Sequence, residues 1–188
     1  MVRLTRWTIL MATLLLSSPV YADCEDYWDW VAKSCRRLVD TYQNGYTEVL
    51  VSGYAWHIPA TWTPEKRAEL NANQWGGGLA KTTEDDDGNN HTVFFLAFED
   101  SHKHVESQIG YGYTKFFGAR EGVQVGLGYT VMLVQRVDIA DGVPFPALLP
   151  LLEFRYAKAT VMTTYIPRLG GGINHGDTLY IFGRYALN

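Results

Sequence analysis

From Gly45 onward the chain alternates apolar residues with small or polar ones, and nowhere does it hold an apolar run long enough to cross a bilayer as a helix. Residues 122–134 show the pattern best. Val123, Val125, Leu127, Tyr129, Val131 and Leu133 alternate with Gln124, Gly126, Gly128, Thr130, Met132 and Val134. Residues 108–117 repeat it, with Ile109, Tyr111, Tyr113 and Phe117 set against Gln108, Gly110, Gly112 and Thr114. The C-terminal segment does so again, with Leu179, Ile181, Tyr185 and Leu187 set against Thr178, Arg184 and Asn188. Successive side chains of a strand point to opposite faces, so each segment has one wholly apolar face. An apolar outer face over small or polar inner residues marks a membrane barrel strand. Lipid offers no partners for backbone N–H and C=O groups, so only a closed barrel lets strands cross it.

Composition agrees. Charged residues make up 19% of the 188, aromatics 14%, and eighteen glycines accompany twelve tyrosines, a mixture suited to β-structure in contact with lipid. The net charge is −4 with no basic stripe, which argues against nucleic acid as a partner. The first residues read as a secretory signal over residues 1–22. Arg3 and Arg6 precede a short apolar run from Ile9 to Leu16, and Val20-Tyr21-Ala22 offers a small-residue cleavage site. That run falls well short of the roughly 20 residues of a spanning helix. Cleavage after Ala22 removes two basic residues and no acidic one, taking the net charge from −4 to −6.

Residues 23–45 form an N-terminal amphipathic segment. Trp28, Val31, Cys35, Leu38 and Tyr42 recur at spacings of three and four, which predicts a helix over about 24–43 ending near Asn44-Gly45. Such a helix would lie on a membrane surface or against the barrel rim. Export permits a disulfide. Within a helix, however, Cys24 and Cys35 would stand about 16 Å apart at 1.5 Å per residue, so two free or weakly packed cysteines are expected.

Residues 46–188 divide into eight candidate strands, about 46–57, 74–83, 91–101, 107–117, 122–135, 147–157, 159–167 and 178–188. Eight is an even number and the smallest usual barrel. With the helix in the periplasm and the first strand running outward, every long connection falls on the outer side, as in bacterial barrels. Two strands depart from the alternation. Val93, Phe94, Phe95, Leu96 and Phe98 are apolar on both faces, and Leu148, Leu149, Leu151, Leu152 and Phe154 nearly so. These predict an apolar outer half to the interior, a site for a hydrocarbon chain rather than a water-filled pore. Pro150 and Pro167 cannot donate to a ladder, and predict interrupted pairing through which a lipid could enter sideways.

Chain parity gathers His57, Asp100 and Ser101 at the outer rim. A histidine, a carboxylate and a hydroxyl are the groups acyl transfer needs: a base, an orienting group, and a nucleophile or hydrogen-bond donor. Polar rim residues facing water are the bland alternative. Asp100, His102 and His104 would share one face of an extended strand and could bind a metal, although the run from Asp100 to His104 reads more simply as a solvated loop. Gly76-Gly77-Gly78 lacks the lysine and helix of a phosphate loop, and implies close backbone approach or room for a ligand. Arg136 ends an outward strand, either as a phosphate contact or as a surface anchor.

Taken together, the chain resembles the outer-membrane lipid A palmitoyltransferase family, PagP. The resemblance runs from about Gly45 to the C-terminus through Ala55-Trp56-His57, Trp75-Gly76-Gly77-Gly78, Ala97-Phe98-Glu99-Asp100-Ser101, Gly110-Tyr111-Gly112-Tyr113, Val125-Gly126-Leu127-Gly128, Pro144-Phe145-Pro146-Ala147-Leu148-Leu149-Pro150-Leu151 and Thr164-Tyr165-Ile166-Pro167. It implies an eight-stranded barrel in the outer membrane and transfer of a palmitoyl chain from the sn-1 position of a phospholipid to a hydroxyl of lipid A in lipopolysaccharide. The family's essential histidine falls on His57 and its Asp-Ser pair on Asp100 and Ser101. Here His57 would act as general base or orient the attacking hydroxyl, Asp100 would orient and stabilise it, and Ser101 would be nucleophile or oxyanion donor. The family's pocket-floor glycine falls on Gly112. It lies about six residues below the rim, so the pocket is roughly 20 Å deep at 3.3 Å per residue. Lateral lipid access falls on Pro150 and Pro167. Ser52 and Gln74 stand where the family's first side gap has prolines, and Glu153 and Arg155 replace small residues. No cofactor and no metal are implied; the partners are the phospholipid donor, the lipid A acceptor and outer-membrane lipids, with room for a homodimer. The competing readings are a non-enzymatic small barrel that binds lipid or surfaces, and a soluble lipocalin-like carrier. The carrier would want polar outward faces.

Overall fold

The computed structural model describes residues 24–25, 27–170 and 174–187; the expected signal peptide lies outside them. Eight strands close into one antiparallel barrel in sequence order. They are β1 (Tyr46–His57), β2 (Gly76–Glu84), β3 (Asn90–Glu99), β4 (Val105–Phe117), β5 (Gln124–Gln135), β6 (Phe145–Tyr156), β7 (Ala159–Ile166) and β8 (Thr178–Ala186). Each end falls within two residues of its predicted position. Pairing of β1 with β8, from Glu48–Ala186 to His57–Thr178, removes the last open edge.

The alternation sorts inside from outside as expected. Along β5, Val125, Leu127, Tyr129, Val131 and Leu133 are exposed on the outer wall, while Gln124, Thr130, Met132 and Val134 are buried within. An apolar outer wall is the surface a bilayer would cover. The interior is graded. Leu96, Phe98, Met132, Leu151 and Tyr180 fill the half towards His57, whereas Thr82, Thr92, Thr114, Glu48, Glu153 and Arg184 are buried in the other. Phe98 and Tyr180 stack at 5.1 Å, as do Tyr180 and Phe182 at 5.2 Å. The glycine triplet serves close approach, since a Cβ at Gly78 would overlap the Phe95 carbonyl of β3.

The β1–β2, β3–β4, β5–β6 and β7–β8 connections share one rim, called upper here, and the short turns share the other. Helix α1 (Asp29–Asn44) feeds β1 at the lower rim and packs on β2 and β3. Thr41 Oγ1 lies 3.0 Å from Thr83 Oγ1 and fixes its last turn. The short helix α2 (Pro64–Glu69) lies in the β1–β2 connection, with the Thr63 hydroxyl capping the Lys66 N–H and proline in its first turn.

One expectation is overturned. Cys24 and Cys35 form a disulfide, with Cα atoms 5.7 Å apart. The helix begins at Asp29 rather than Cys24, so the preceding residues fold back along it and the rise per residue no longer separates the sulfurs. An Arg36–Glu25 ion pair of 2.9 Å ties the same segment.

Candidate active site

Three strands deliver the upper-rim site. His57 closes β1, Ser101 lies two residues after β3, and Gln74 two residues before β2, which lies between them. His57 Nε2 stands 3.0 Å from Ser101 Oγ. Gln74 Nε2 donates to the same oxygen at 2.7 Å. A serine hydroxyl has one proton to give and lone pairs to receive. With the amide donating to Oγ, the hydroxyl proton is free to point at the imidazole. His57 is 7% exposed and Gln74 6%, so the pair is poised in a nearly dry setting. Trp62 packs edge-on to the His57 ring at 5.3 Å and donates from Nε1 to the Asp177 carbonyl at 2.9 Å, which ties the β1–β2 connection over the ring.

Asp100 joins this group differently from the expected role. Its Oδ1 accepts from the backbone N–H of His102 and of His104, both at 2.8 Å. Among the described residues no hydrogen bond links it to the His57 ring. Asp100 therefore fixes the turn that presents Ser101, rather than the imidazole. The Asn71 N–H, donating to the Ser101 carbonyl at 2.8 Å, secures that turn from the other side.

The expected metal trio does not form as drawn. Asp100, His102 and Asp138 place ligand atoms within 4.8 Å of one another, and His104 is not among them. Arg136 Nη2 already stands in that space, 2.7 Å from Asp138 Oδ2, 3.5 Å from His102 Nδ1 and 3.7 Å from Asp100 Oδ2. Arg136 Nε adds Glu106 at 3.8 Å. Arg136 is thus an internal counter-ion of the rim. Burial alone would lower its pKa, but its acidic neighbours, Asp138 first, outweigh that and raise it. Burial would likewise raise Asp138, yet the Arg136 hydrogen bonds hold its carboxyl below the usual range.

Beneath the His57–Ser101 pair the interior turns apolar. Gln108, Met132, Leu149, Ile166 and Tyr180 line both the rim cavity and the one below it. The lower cavity reaches Gly112, where an added Cβ would meet only Leu151 Cδ1 at 3.6 Å and the Tyr129 carbonyl at 3.7 Å. Gly112 therefore keeps space open rather than easing a tight backbone.

The two side gaps differ. Pairing of β6 with β7 stops at Leu151–Thr164, so residues 145–150 pair with β5 alone. Pro150 stands at the point where the strands part, its carbonyl taken by Thr164 Oγ1 at 2.7 Å, and Pro167 follows the end of β7. Between β1 and β2 the ladder stops at Val51–Gly77, but other contacts close the seam. The Ser52 hydroxyl donates to the Gln74 carbonyl, and the Gln74 N–H to the Gly53 carbonyl at 2.9 Å. Gln74 and Trp62 are the site residues that sequence reasoning missed. Strand order would have found Gln74, since it lies two residues before β2, the strand between His57 and Ser101.

The chain matches the family model described as antimicrobial peptide resistance and lipid A acylation protein PagP over residues 37–184. It is 40% identical over 164 residues to a lipid A acyltransferase PagP of Legionella pneumophila, covering 87% of this chain and 86% of that protein. A lipid A acyltransferase PagP of Bordetella parapertussis is 37% identical over 185 residues, 98% of this chain and all of the relative. A Bordetella pertussis counterpart is 37% identical over the same length.

Proposed function

Since the chain belongs to the PagP family of lipid A acylation proteins, we propose that it is an outer-membrane acyltransferase moving a palmitoyl chain from the sn-1 position of a phospholipid to a hydroxyl of lipid A. The observation that carries this reading is the His57–Ser101 pair at the mouth of an apolar interior. A water-filled pore or a soluble carrier has no use for that combination. The signal peptide over residues 1–22 and the exposed apolar wall support export and the membrane location.

In this reading the donor enters between β6 and β7 at Pro150 and Pro167, and its sn-1 chain threads down towards Gly112. His57 Nε2 takes the proton of the attacking hydroxyl as a new bond forms to the ester carbonyl carbon. The tetrahedral intermediate then expels the glycerol oxygen, which His57 protonates, leaving lysophospholipid. Ser101 is either the first nucleophile, with lipid A attacking the resulting ester, or a donor to the oxyanion. Gln74 supports either role through its hydrogen bond to Oγ, and Asp100 positions the turn. The closed β1–β2 seam implies that the acceptor reaches His57 over the rim rather than through that wall.

The test is mass spectrometry of lipid A after incubation with purified protein and phospholipid in detergent, for wild type and His57→Ala. One added palmitoyl group with wild type only is the expected result. No addition with any donor would favour a lipid-binding barrel without chemistry, and addition that survives the substitution would remove His57 from the reaction.

A further inference from the structure

The short helix α2 is pinned at both ends to the reacting pair. Just before it, Trp62 packs edge-on to the His57 ring at 5.3 Å. Just after it, the Asn71 N–H donates to the Ser101 carbonyl at 2.8 Å, and Leu70 lines the rim cavity. The helix therefore holds its side chains at a fixed place beside the mouth. One of them is Arg67, whose backbone N–H is secured by the Thr63 carbonyl at 3.0 Å.

Arg67 differs from the other cations around the site. Lys66 is paired with Glu69 at 3.1 Å, and Arg136 is surrounded by Asp138, Asp100 and Glu106. His102 is held against Arg136 and Asp138. Among the described residues Arg67 forms no ion pair, and its Nε is buried without an acceptor. A guanidinium is always charged and presents five donors in a rigid fork, so a buried N–H left open costs stability until an anion supplies the acceptor. The Arg67 charge also reaches the His57 ring, so the open guanidinium and the reacting atoms are neighbours.

We infer that Arg67 binds a phosphate of the lipid A acceptor and so sets the acceptor's hydroxyl at His57. The inference rests on the acyltransferase reading. Two lipids could bring a phosphate to this rim, the phospholipid donor with its diester and lipid A with its monoesters. Position decides between them. Arg67 belongs to the β1–β2 connection, whereas the donor's opening lies between β6 and β7, three strands away round the closed barrel. The β1–β2 seam itself is sealed, so an acceptor on that side passes over the rim beside Arg67. A phosphate monoester also carries more charge than a diester, and its oxygens match the guanidinium fork with two parallel hydrogen bonds. Arg136, the other candidate for a phosphate, is excluded by the carboxylates already around it.

The test varies the acceptor at saturating phospholipid, using folded protein in a neutral detergent. The acceptors are lipid A with its phosphates and the same lipid A dephosphorylated. Wild type should show a KM about tenfold lower for the phosphorylated acceptor, the scale of a charge-assisted hydrogen bond. Arg67→Gln should erase that difference by raising the KM for the phosphorylated acceptor alone, with kcat and the donor KM as in wild type. Arg67→Lys keeps the charge without the fork and should fall between the two. A wild-type KM indifferent to phosphate, or a glutamine variant that keeps the preference, would overturn the inference. A rise in the donor KM in place of the acceptor KM would overturn it too, by giving the guanidinium to the phospholipid headgroup. Equal loss with both acceptors would do the same, by making Arg67 a structural residue of α2. A wild-type protein that transfers nothing to either acceptor would instead remove the acyltransferase reading itself.

Discussion

Replacing Gly112 with methionine should shorten the preferred acyl chain by about four carbons. The position is buried and faces the cavity, and an added Cβ meets only ordinary van der Waals neighbours, Leu151 Cδ1 at 3.6 Å and the Tyr129 carbonyl at 3.7 Å. The strand itself therefore need not move. The longer side chain reaches about 5 Å beyond the backbone, which is four methylenes at about 1.3 Å each. A palmitoyl chain would then leave four methylenes unburied, at about 0.8 kcal/mol each, or about 3 kcal/mol and over a hundredfold in selectivity. The assay supplies sn-1 donors from C12 to C18 in equal amounts and weighs the acylated lipid A. The variant should choose C12, and Gly112→Ala should move the choice by about one carbon. A methionine variant that still chooses C16 at the wild-type rate would refute the placement of the chain. Equal loss with every donor would show that the substitution damaged the barrel rather than the measure of length.

Gln74→Ala should lower the initial rate about fivefold while C16 selection stays put, because one hydrogen bond to Ser101 Oγ is worth about 1 kcal/mol and the lower pocket is untouched. Cys35→Ser should destabilise the residues before and within α1 by about 3 kcal/mol, the scale of a short closed loop, and leave the barrel intact; amide hydrogen exchange separates the two. Asp138 supplies a pH dependence of known sign. Its folded pKa is depressed, so its contribution is present above the ordinary carboxylate pKa of about 4 and is lost as pH falls through the lower folded value. Exchange of the 136–142 amides should stay slow from pH 7 to about 4 and quicken below, and Asp138→Asn should remove that step.

What could be read from the sequence follows from what repeats in it. Strand spans, strand number and the apolar outer wall are written in a period-two pattern that recurs along most of the barrel, so one misread residue changes little. Chain parity was enough to bring His57 and Ser101 to one rim, because a barrel in sequence order fixes which strand ends share a side. Contacts made once, by irregular chain, were not legible in that way. Cys24 lies where the chain turns back before α1, and no periodicity reports a return. Asp100 was assigned to the histidine because the residue types suit it, whereas its Oδ1 is taken by two N–H groups of its own turn and its Oδ2 faces Arg136 at 3.7 Å. Gln74 was noticed as a departure from a family pattern, but its amide reaches Ser101 across a seam that only the folded rim defines. The same holds for Glu153. In sequence it is a charge within an apolar run, which reads as an anomaly. In the barrel its parity is inward, level with Arg184, and the two charges satisfy each other where neither meets water.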